Sequence, residues 1–141
     1  MSEDTVRIGV IGVGGMGSGH CNSIQDIEEI ELAAVVDIDG DRAREIGEKH
    51  DVPHFEHHGE LLDAEMVDAV VVATPHYYHP PIAIDAFQAG LHVLSEKPIG
   101  VRVGYAEKMV KAARQNDRIF CVMFQRRTEP AQRETAEPQR L

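Results

Sequence analysis

Gly12, Gly14 and Gly17 in the segment Gly12-Val13-Gly14-Gly15-Met16-Gly17 restrict what this chain can fold into more than any other feature of its sequence. The segment follows a short apolar stretch, residues 6–11, that is typical of a buried strand, and it precedes a stretch with helical spacing. In that context the first glycine permits a tight turn, the second admits a ligand close to the backbone, and the third lets the helix pack against the strand. Because the free N–H groups at such a helix start solvate a diphosphate, these six residues predict a dinucleotide-binding turn.

Strand-like and helix-like stretches alternate through most of the sequence. The predicted strands cover residues 6–11, 31–37, 52–55, 67–73, 92–95 and 119–123. Regular alternation with short connections predicts an α/β fold in which about six strands form a doubly wound parallel sheet, the Rossmann architecture. The stretch 67–73 is nearly continuous in small and branched apolar residues, so we expect it at the sheet centre.

Four helices are predicted between these strands. Asp39 is the expected N-cap of the second, while Pro80 and Pro81 open the third and Gly90 ends it. The residues expected on their inner faces are Met16, His20, Ile24 and Ile27; Ala43 and Ile46; Ile82, Ala86 and Phe87; and Ala106, Met109, Val110 and Ala113.

Length and composition predict a single domain. Residues 1–124 are expected to form a Rossmann domain that binds NAD or NADP, and a second full domain does not fit into 141 residues. Residues 125–141 contain four arginines and few apolar side chains. We interpret this segment as either the truncated start of a further domain or a frayed tail.

The net charge of −10 disfavours two classes of partner. An acidic surface repels phosphate backbones and anionic lipid headgroups, so we expect neither nucleic acid nor a membrane surface as a partner. The start of the chain is polar, and no apolar run approaches the ~20 residues of a spanning helix. Cys21 and Cys121 lie far apart in sequence, and we expect reduced thiols and a cytoplasmic location.

An acidic residue twenty positions after Gly17 narrows the expected cofactor. Asp37 ends the second predicted strand, where its carboxylate accepts hydrogen bonds from the adenosine ribose and repels the additional phosphate of NADP. The cofactor expected is therefore NAD, with the neighbouring Ile38 also in its site. Arg42 or Arg44 could turn inward to pair with a 2′-phosphate, so NADP is disfavoured without being excluded.

Three other groups of residues carry weaker signals. His54, His57 and His58 suggest a metal site, but no Cys or carboxylate pattern completes one, so we predict a histidine-rich surface loop and no metal. Tyr77 and Tyr78 are equally consistent with a cleft wall and with an ordinary loop. Cys21, close to a helix start, is interpreted as a small packed side chain and not as a nucleophile.

Taken together, the motifs resemble those of a known family. The glycine turn, Asp37, Ala73-Thr74-Pro75, His79 and the run from Ala89 to Pro98, with its Glu96-Lys97-Pro98 ending, occur in the order found in the Gfo/Idh/MocA oxidoreductases. That group includes glucose-fructose oxidoreductase and inositol dehydrogenase. The resemblance covers roughly residues 5 to 127 and extends to His20, three residues after Gly17.

The resemblance implies roles for individual residues. Thr74 and Pro75 would border the cofactor, and His79 would lie near its nicotinamide side. Glu96 and Lys97 would face the nicotinamide ring and the substrate, with Lys97 as the catalytic cation that orients a hydroxyl and stabilises the developing alkoxide. Gln125 stands where the family commonly has an asparagine that contacts the nicotinamide. The Lys97-Pro98 peptide is often cis in the family.

The resemblance also implies an activity, which is hydride transfer between a nicotinamide cofactor and a sugar, polyol or derivative. Family members continue into a second α/β domain that supplies substrate contacts and much of the oligomer interface. We therefore expect cofactor binding with little or no turnover from the 141 residues alone, and a homo-oligomer is possible. Two alternatives stay open: an NAD(H)-binding regulatory or partner module without catalysis, and a truncated remnant.

Overall fold

A computed structural model describes residues 5–125. Its strands are β1 (Val6–Ile11), β2 (Ile30–Val36), β3 (His54–Phe55), β4 (Ala69–Val72), β5 (His92–Glu96) and β6 (Phe120–Met123). Its α-helices are α1 (Gly15–Ile24), α2 (Gly40–His50), α3 (His58–Asp63), α4 (His79–Gln88) and α5 (Val103–Gln115), and a 3-10 turn (His76–Tyr78) precedes α4. No helix in this part of the chain is long and apolar enough to cross a membrane.

The six strands form one parallel sheet in the order β3-β2-β1-β4-β5-β6. The doubly wound fold predicted from the sequence is therefore confirmed, with 67–73 at the centre, since β4 pairs with β1 on one side and β5 on the other. From β1 the chain continues outwards to β2 and β3, and it then crosses back to pair as β4 with the other side of β1. The connections that follow β1 and β4 therefore lead towards opposite edges of the sheet, and the strand order reverses between β1 and β4. In such sheets a crevice opens at the carboxyl ends of the strands at this point.

Helices cover both faces of the sheet, and each face has its own apolar core. Val10, Val35 and Val71 pack with Cys21 and Ile24 of α1 on one face. On the other face, a larger cluster joins the alternate positions of the same strands to α3, α4 and α5. This alternation within one strand is what a sheet covered on both sides requires.

An ion pair ties the beginnings of the two central strands together. The Arg7 guanidinium donates to both carboxylate oxygens of Asp68 over 2.7 and 3.0 Å, and the Arg7 backbone N–H donates to Oδ2 over 2.9 Å. These hydrogen bonds hold the pKa of Asp68 below its usual value. The pair lies at the amino ends of the strands, away from the crevice.

Two details of the helices differ from the sequence prediction. The predicted inner face of α1 is wrong at both ends: Met16 is 53% exposed, and Ile27 lies beyond the end of the helix and is 45% exposed. Small residues at Gly17 and Cys21 face the sheet instead, because α1 packs too close to β1 for larger ones. Helix α3 was not predicted, since only six residues form it and their apolar pattern is too short to show a period.

Candidate functional site

At the junction of β1 and α1, the glycine turn presents backbone atoms and no bulky side chain. Gly12 has a φ of +88°, and a Cβ there would lie 2.8 Å from the Thr74 backbone nitrogen. A Cβ on Gly17 would collide with the Gly12 carbonyl oxygen, whereas one on Gly14 or Gly15 would meet nothing within 4 Å. Gly12 and Gly17 therefore shape the turn itself, and Gly14 and Gly15 leave open space in front of the first N–H groups of α1.

Asp37 follows β2 and is attached to that turn. Its side chain is buried, 8% exposed, and Oδ2 accepts a hydrogen bond from the Val13 backbone N–H over 2.9 Å. Oδ1 accepts from the Asp39 backbone N–H over 3.0 Å and from Arg42 over 3.2 Å. Three donors thus fix the carboxylate and compensate its charge in a largely buried position.

The structure decides between the two arginines that the sequence left open. Arg42 pairs with Asp37 and, through Nη2, with Asp39 over 3.1 Å, and its side chain lines the crevice. Arg44 pairs with the exposed Asp41 instead, over 2.7 Å. Of the two, Arg42 is the one placed to meet a phosphate beside Asp37.

The crevice at the carboxyl edge of the sheet is continuous and has a volume of about 760 Å³. It begins at the glycine turn, passes between the ends of β2 and β4, and reaches the residues after β3. Its lining residues are Ile11, Gly12, Gly14, Gly15, Met16, Val36, Asp37, Ile38, Arg42, Glu56, His57, His58, Ala73, Thr74, Pro75, Tyr78, Pro81 and Ile82. A cavity of this size and mixed lining is typical of a cofactor site.

Several predicted site residues line this crevice and others lie behind it. Ile38, 82% exposed, and the Thr74-Pro75 pair form parts of its wall. Tyr78 lines it as well, whereas Tyr77 is exposed and is not part of the lining. Val13, whose N–H anchors Asp37, and Gly17 are buried behind the surface of the turn.

The lining includes three consecutive polar residues that were not singled out as cofactor contacts in the sequence. Glu56, His57 and His58 follow β3 directly, so they lie at the same carboxyl edge as the glycine turn. His58 also pairs with Asp85 of α4 over 2.9 Å. Their position directly after a strand was the sequence signal that could have identified them. The sequence analysis had instead interpreted the histidines here as part of a histidine-rich surface loop that binds no metal. In residues 5–125 no group of three or more His, Cys, Asp or Glu is placed to hold a metal ion.

Glu96 ends β5 and Lys97 follows it, and the two side chains have different surroundings. Glu96 is buried, 5% exposed, and its Oε1 lies 2.8 Å from Nε2 of His20. Its Oε2 accepts the Lys97 backbone N–H over 3.2 Å. Lys97 is exposed, and the peptide that joins it to Pro98 is cis, as the resemblance implied. Gln125, just past β6, is also exposed.

His79 lies inside the protein and does not line the crevice. Its ring is 0% exposed and spans two backbone carbonyls: Nε2 lies 2.7 Å from Thr74 O, and Nδ1 lies 3.0 Å from Pro98 O. The resemblance had placed this residue near the nicotinamide side of the cofactor. Its contacts instead connect the loop after β4 to the turn after β5.

Cys21 has the environment of a packed side chain. It is buried against the sheet, and burial raises the pKa of its thiol to about 11. A thiol that stays protonated is a poor nucleophile, which agrees with the interpretation made from the sequence.

Comparisons with known proteins agree with this geometry. A family model described as an oxidoreductase family with an NAD-binding Rossmann fold, Gfo/Idh/MocA, matches residues 6–124. The chain belongs to the Gfo/Idh/MocA family. What the structure describes is therefore the NAD-binding Rossmann fold of this oxidoreductase family.

Relatives within the family include inositol dehydrogenases. A myo-inositol 2-dehydrogenase from Thermotoga maritima is 33% identical over 123 residues, which are 86% of this chain and 37% of the relative. A Bacillus subtilis scyllo-inositol 2-dehydrogenase (NADP(+)) is 33% identical over 79% of this chain and 34% of its own length. A crystal structure of scyllo-inositol dehydrogenase from Lactobacillus casei, with bound NAD(H) and scyllo-inositol, superposes with a TM-score of 0.87 at 28% identity, over 93% of this chain and 39% of that one. The chain thus spans well under half the length of these Gfo/Idh/MocA relatives.

Proposed function

We propose that this chain binds NAD(H) along the crevice and is the cofactor-binding part of a dehydrogenase that acts on a polyol, a sugar or a derivative. The observation that carries the proposal is the attachment of Asp37 to the glycine turn through Val13 N–H, at 2.9 Å. One crevice thereby offers free N–H groups for a diphosphate and, next to them, a fixed carboxylate for ribose hydroxyls. The inositol dehydrogenases among the relatives support a polyol as the substrate.

In this proposal the two ends of the cofactor meet different parts of the protein. Asp37, Ile38 and Arg42 hold the adenosine end, and the turn holds the diphosphate. Thr74 and Pro75 border the path towards the nicotinamide, and Lys97 and Gln125 stand on the side of the nicotinamide ring. The bound nicotinamide supplies the hydride acceptor or donor.

Lys97 is the residue we assign to the reacting centre. Its exposed ammonium group orients a substrate hydroxyl and stabilises the negative charge that develops on that oxygen as hydride leaves the neighbouring carbon. In this proposal the hydroxyl proton goes to a base supplied by the second α/β domain that family members carry. Glu96 is bonded to His20 and to the Lys97 N–H, so we assign it no proton transfer.

Titration calorimetry with NADH tests the proposed binding mode. The Asp37→Ala variant loses charge-assisted hydrogen bonds to the ribose, so we expect NADH affinity to fall by about 10- to 100-fold. Asp41→Ala is the matched control, since Asp41 lies four residues on and pairs with Arg44 outside the crevice. Equal affinities of the two variants for NADH would contradict the proposed ribose contact, and a wild-type chain without NADH binding would contradict the function.

We also propose that the 141 residues alone bind the cofactor with little or no turnover, because hydride transfer needs a positioned substrate. The purified chain is assayed with NAD and myo-inositol, scyllo-inositol and simple sugars. Robust turnover would contradict this part of the proposal. Co-purification with a separate catalytic chain would instead favour the regulatory or partner module, and a downstream reading frame that encodes a second domain out of frame would favour a truncated remnant.

A further inference from the structure

The segment around Lys97 is held from both sides although the lysine side chain itself is exposed. β5 ends at Glu96, so Lys97 and Pro98 lie beyond the strand pairing that fixes the preceding residues. Two histidines from different helices contact the residues on either side of Lys97. Neither histidine lines the crevice.

The first contact comes from α1. His20 lies three residues after Gly17, and its Nε2 is 2.8 Å from Glu96 Oε1. The other carboxylate oxygen of Glu96 accepts the Lys97 backbone N–H over 3.2 Å. Because the His20 side chain is 17% exposed and that of Glu96 7% exposed, the pair is shielded from solvent competition. A line of hydrogen bonds therefore runs from the helix that starts in the glycine turn to the backbone of Lys97.

The second contact comes from the start of α4. The His79 ring, fully buried, faces Pro98 O with Nδ1 at 3.0 Å and Thr74 O with Nε2 at 2.7 Å. Both partners are carbonyls and can only accept, and a neutral imidazole carries one N–H, so the ring donates to Pro98 O in its Nδ1–H tautomer and to Thr74 O in its Nε2–H tautomer. His79 thus connects the residue after Lys97 to Thr74, which lines the crevice.

We propose that His20 and His79 are positioning residues that together set the place of Lys97 relative to the bound cofactor. The proposal rests on the function proposed above, in which Lys97 stands beside the nicotinamide ring. Each histidine joins one neighbour of Lys97 to an element that contacts the cofactor: α1 with the glycine turn, and the loop that carries Thr74. A reacting group needs this kind of support, because a displacement of ~1 Å at an active site can lower the rate about 100-fold.

Amide side chains can separate the individual contacts. The Nε2 of a glutamine takes the place of the histidine Nε2, and the Nδ2 of an asparagine takes the place of Nδ1. His20→Gln retains a donor to Glu96, whereas His20→Leu removes it. His79→Asn retains a donor towards Pro98, whereas His79→Gln retains one towards Thr74 only. His92→Leu is the matched control, since His92 lies at the opposite end of β5 and contacts the Ile119 N–H.

The experiment measures amine labelling of the full chain, residue by residue, by mass spectrometry. The four lysines are Lys49, Lys97, Lys108 and Lys111, and the other three serve as internal references. Two probes are compared: NADH, and ADP-ribose, which lacks the nicotinamide. In the wild-type chain we expect saturating NADH to slow labelling of Lys97 about tenfold, while ADP-ribose leaves it unchanged, because the nicotinamide end alone covers the lysine.

In the variants we expect the protection of Lys97 by NADH to follow the hydrogen bonds. It is lost in His20→Leu and His79→Gln and retained in His20→Gln, His79→Asn and His92→Leu. The affinity for ADP-ribose stays within about twofold of wild type throughout, because the adenosine end is not involved. Since His20 is partly exposed, its two variants test the proposal even where a change at the buried His79 prevents folding.

Three results would overturn the positioning role. The first is full protection of Lys97 in both His20→Leu and His79→Gln. The second is a loss of ADP-ribose affinity in these variants that parallels the loss of protection, because that indicates a general structural effect. The third is NADH binding to the wild-type chain without protection of Lys97. The last result leaves cofactor binding intact. If the wild-type chain binds neither NADH nor ADP-ribose, the proposed function itself has failed.

Discussion

The carboxylate of Asp37 accepts a hydrogen bond from the backbone N–H of Val13 across 2.9 Å, and the two residues belong to different strand ends of the sheet. The group expected to meet the ribose is thereby bonded to the turn expected to meet the diphosphate. Arg42 contacts the other oxygen of the same carboxylate over 3.2 Å. Any change at Asp37 therefore alters both the turn and the arginine.

The choice between NADH and NADPH should depend on this pair. Asp37→Ser removes the charge that repels a 2′-phosphate and releases Arg42, so we expect the affinity ratio of NADPH to NADH to rise by about 10- to 100-fold. Adding Arg42→Ala should cancel the gain, whereas Arg44→Ala, which removes an arginine paired with Asp41, should not. Fluorescence titration of each variant with both reduced cofactors measures the ratio. Cancellation by Arg44→Ala in place of Arg42→Ala would contradict the assignment.

Glycines of the turn and of α1 should respond to alanine in three distinct ways. Gly17→Ala places a methyl group against the Gly12 carbonyl and should destabilise the fold by about 3 kcal/mol or more. Gly14→Ala meets nothing within 4 Å, so the chain should fold normally but bind NADH poorly, because the methyl group stands where the diphosphate approaches. Gly19→Ala, in the open on the same helix, should stabilise by about 0.5–1 kcal/mol. Urea unfolding and NADH titration distinguish the three, and similar losses of stability in all of them would refute this account.

The two cysteines should differ in reactivity. Burial raises the pKa of Cys21 to about 11, whereas Cys121 on β6 is exposed. In the native chain a thiol reagent at neutral pH should modify Cys121 within minutes and leave Cys21 unmodified, and in denaturant both should react. Rapid native labelling that persists in a Cys121→Ser variant would show that Cys21 is accessible after all.

His50 should make the fold sensitive to acid. Burial lowers its pKa below the ordinary 6.5, helped by the neighbouring Lys49, and neither ring nitrogen has a hydrogen-bond partner among the described residues. The unfolded chain then binds the proton more readily, so the contribution of His50 to stability is present above pH 6.5 and is lost as the pH falls from there through the folded pKa.

Urea unfolding at pH 8 and pH 5.5 measures the effect of His50. His50→Leu should lessen the loss of stability on acidification, and His54→Gln, a change at an exposed histidine in β3, should leave that loss unchanged. An identical acid sensitivity of His50→Leu and the wild-type chain would exclude His50 as its source.

The sequence predicted the sheet and the strand-turn-helix geometry of the glycine turn well because both depend on local patterns. Continuous apolar runs such as 67–73 have few alternatives to a buried central strand, and the glycines at positions 12 and 17 are a direct requirement of backbone geometry. The inner face of α1 was mispredicted at Met16, because a helix packed tightly against a strand buries small residues in place of large ones.

Long-range contacts within the site were beyond the reach of the sequence. The contacts of Glu96 with His20 and of His79 with Thr74 and Pro98 join residues of separate elements, and nothing in their local sequence specifies a partner. The choice of Arg42 over Arg44 likewise depends on the rotation of α2 about its axis, which places only one of them beside Asp37.

The position of β1 and β4 in the middle of the sheet also has a kinetic consequence. Each is paired on both sides and covered on both faces, whereas β3 has two residues and β6 borders the sheet. Amide protons of the two central strands can exchange with deuterium only when much of the fold opens, whereas those at the edges exchange through small local openings. The strands that carry the glycine turn and Thr74 are therefore the last part of the molecule to loosen, so the crevice remains formed while the edges of the sheet fray.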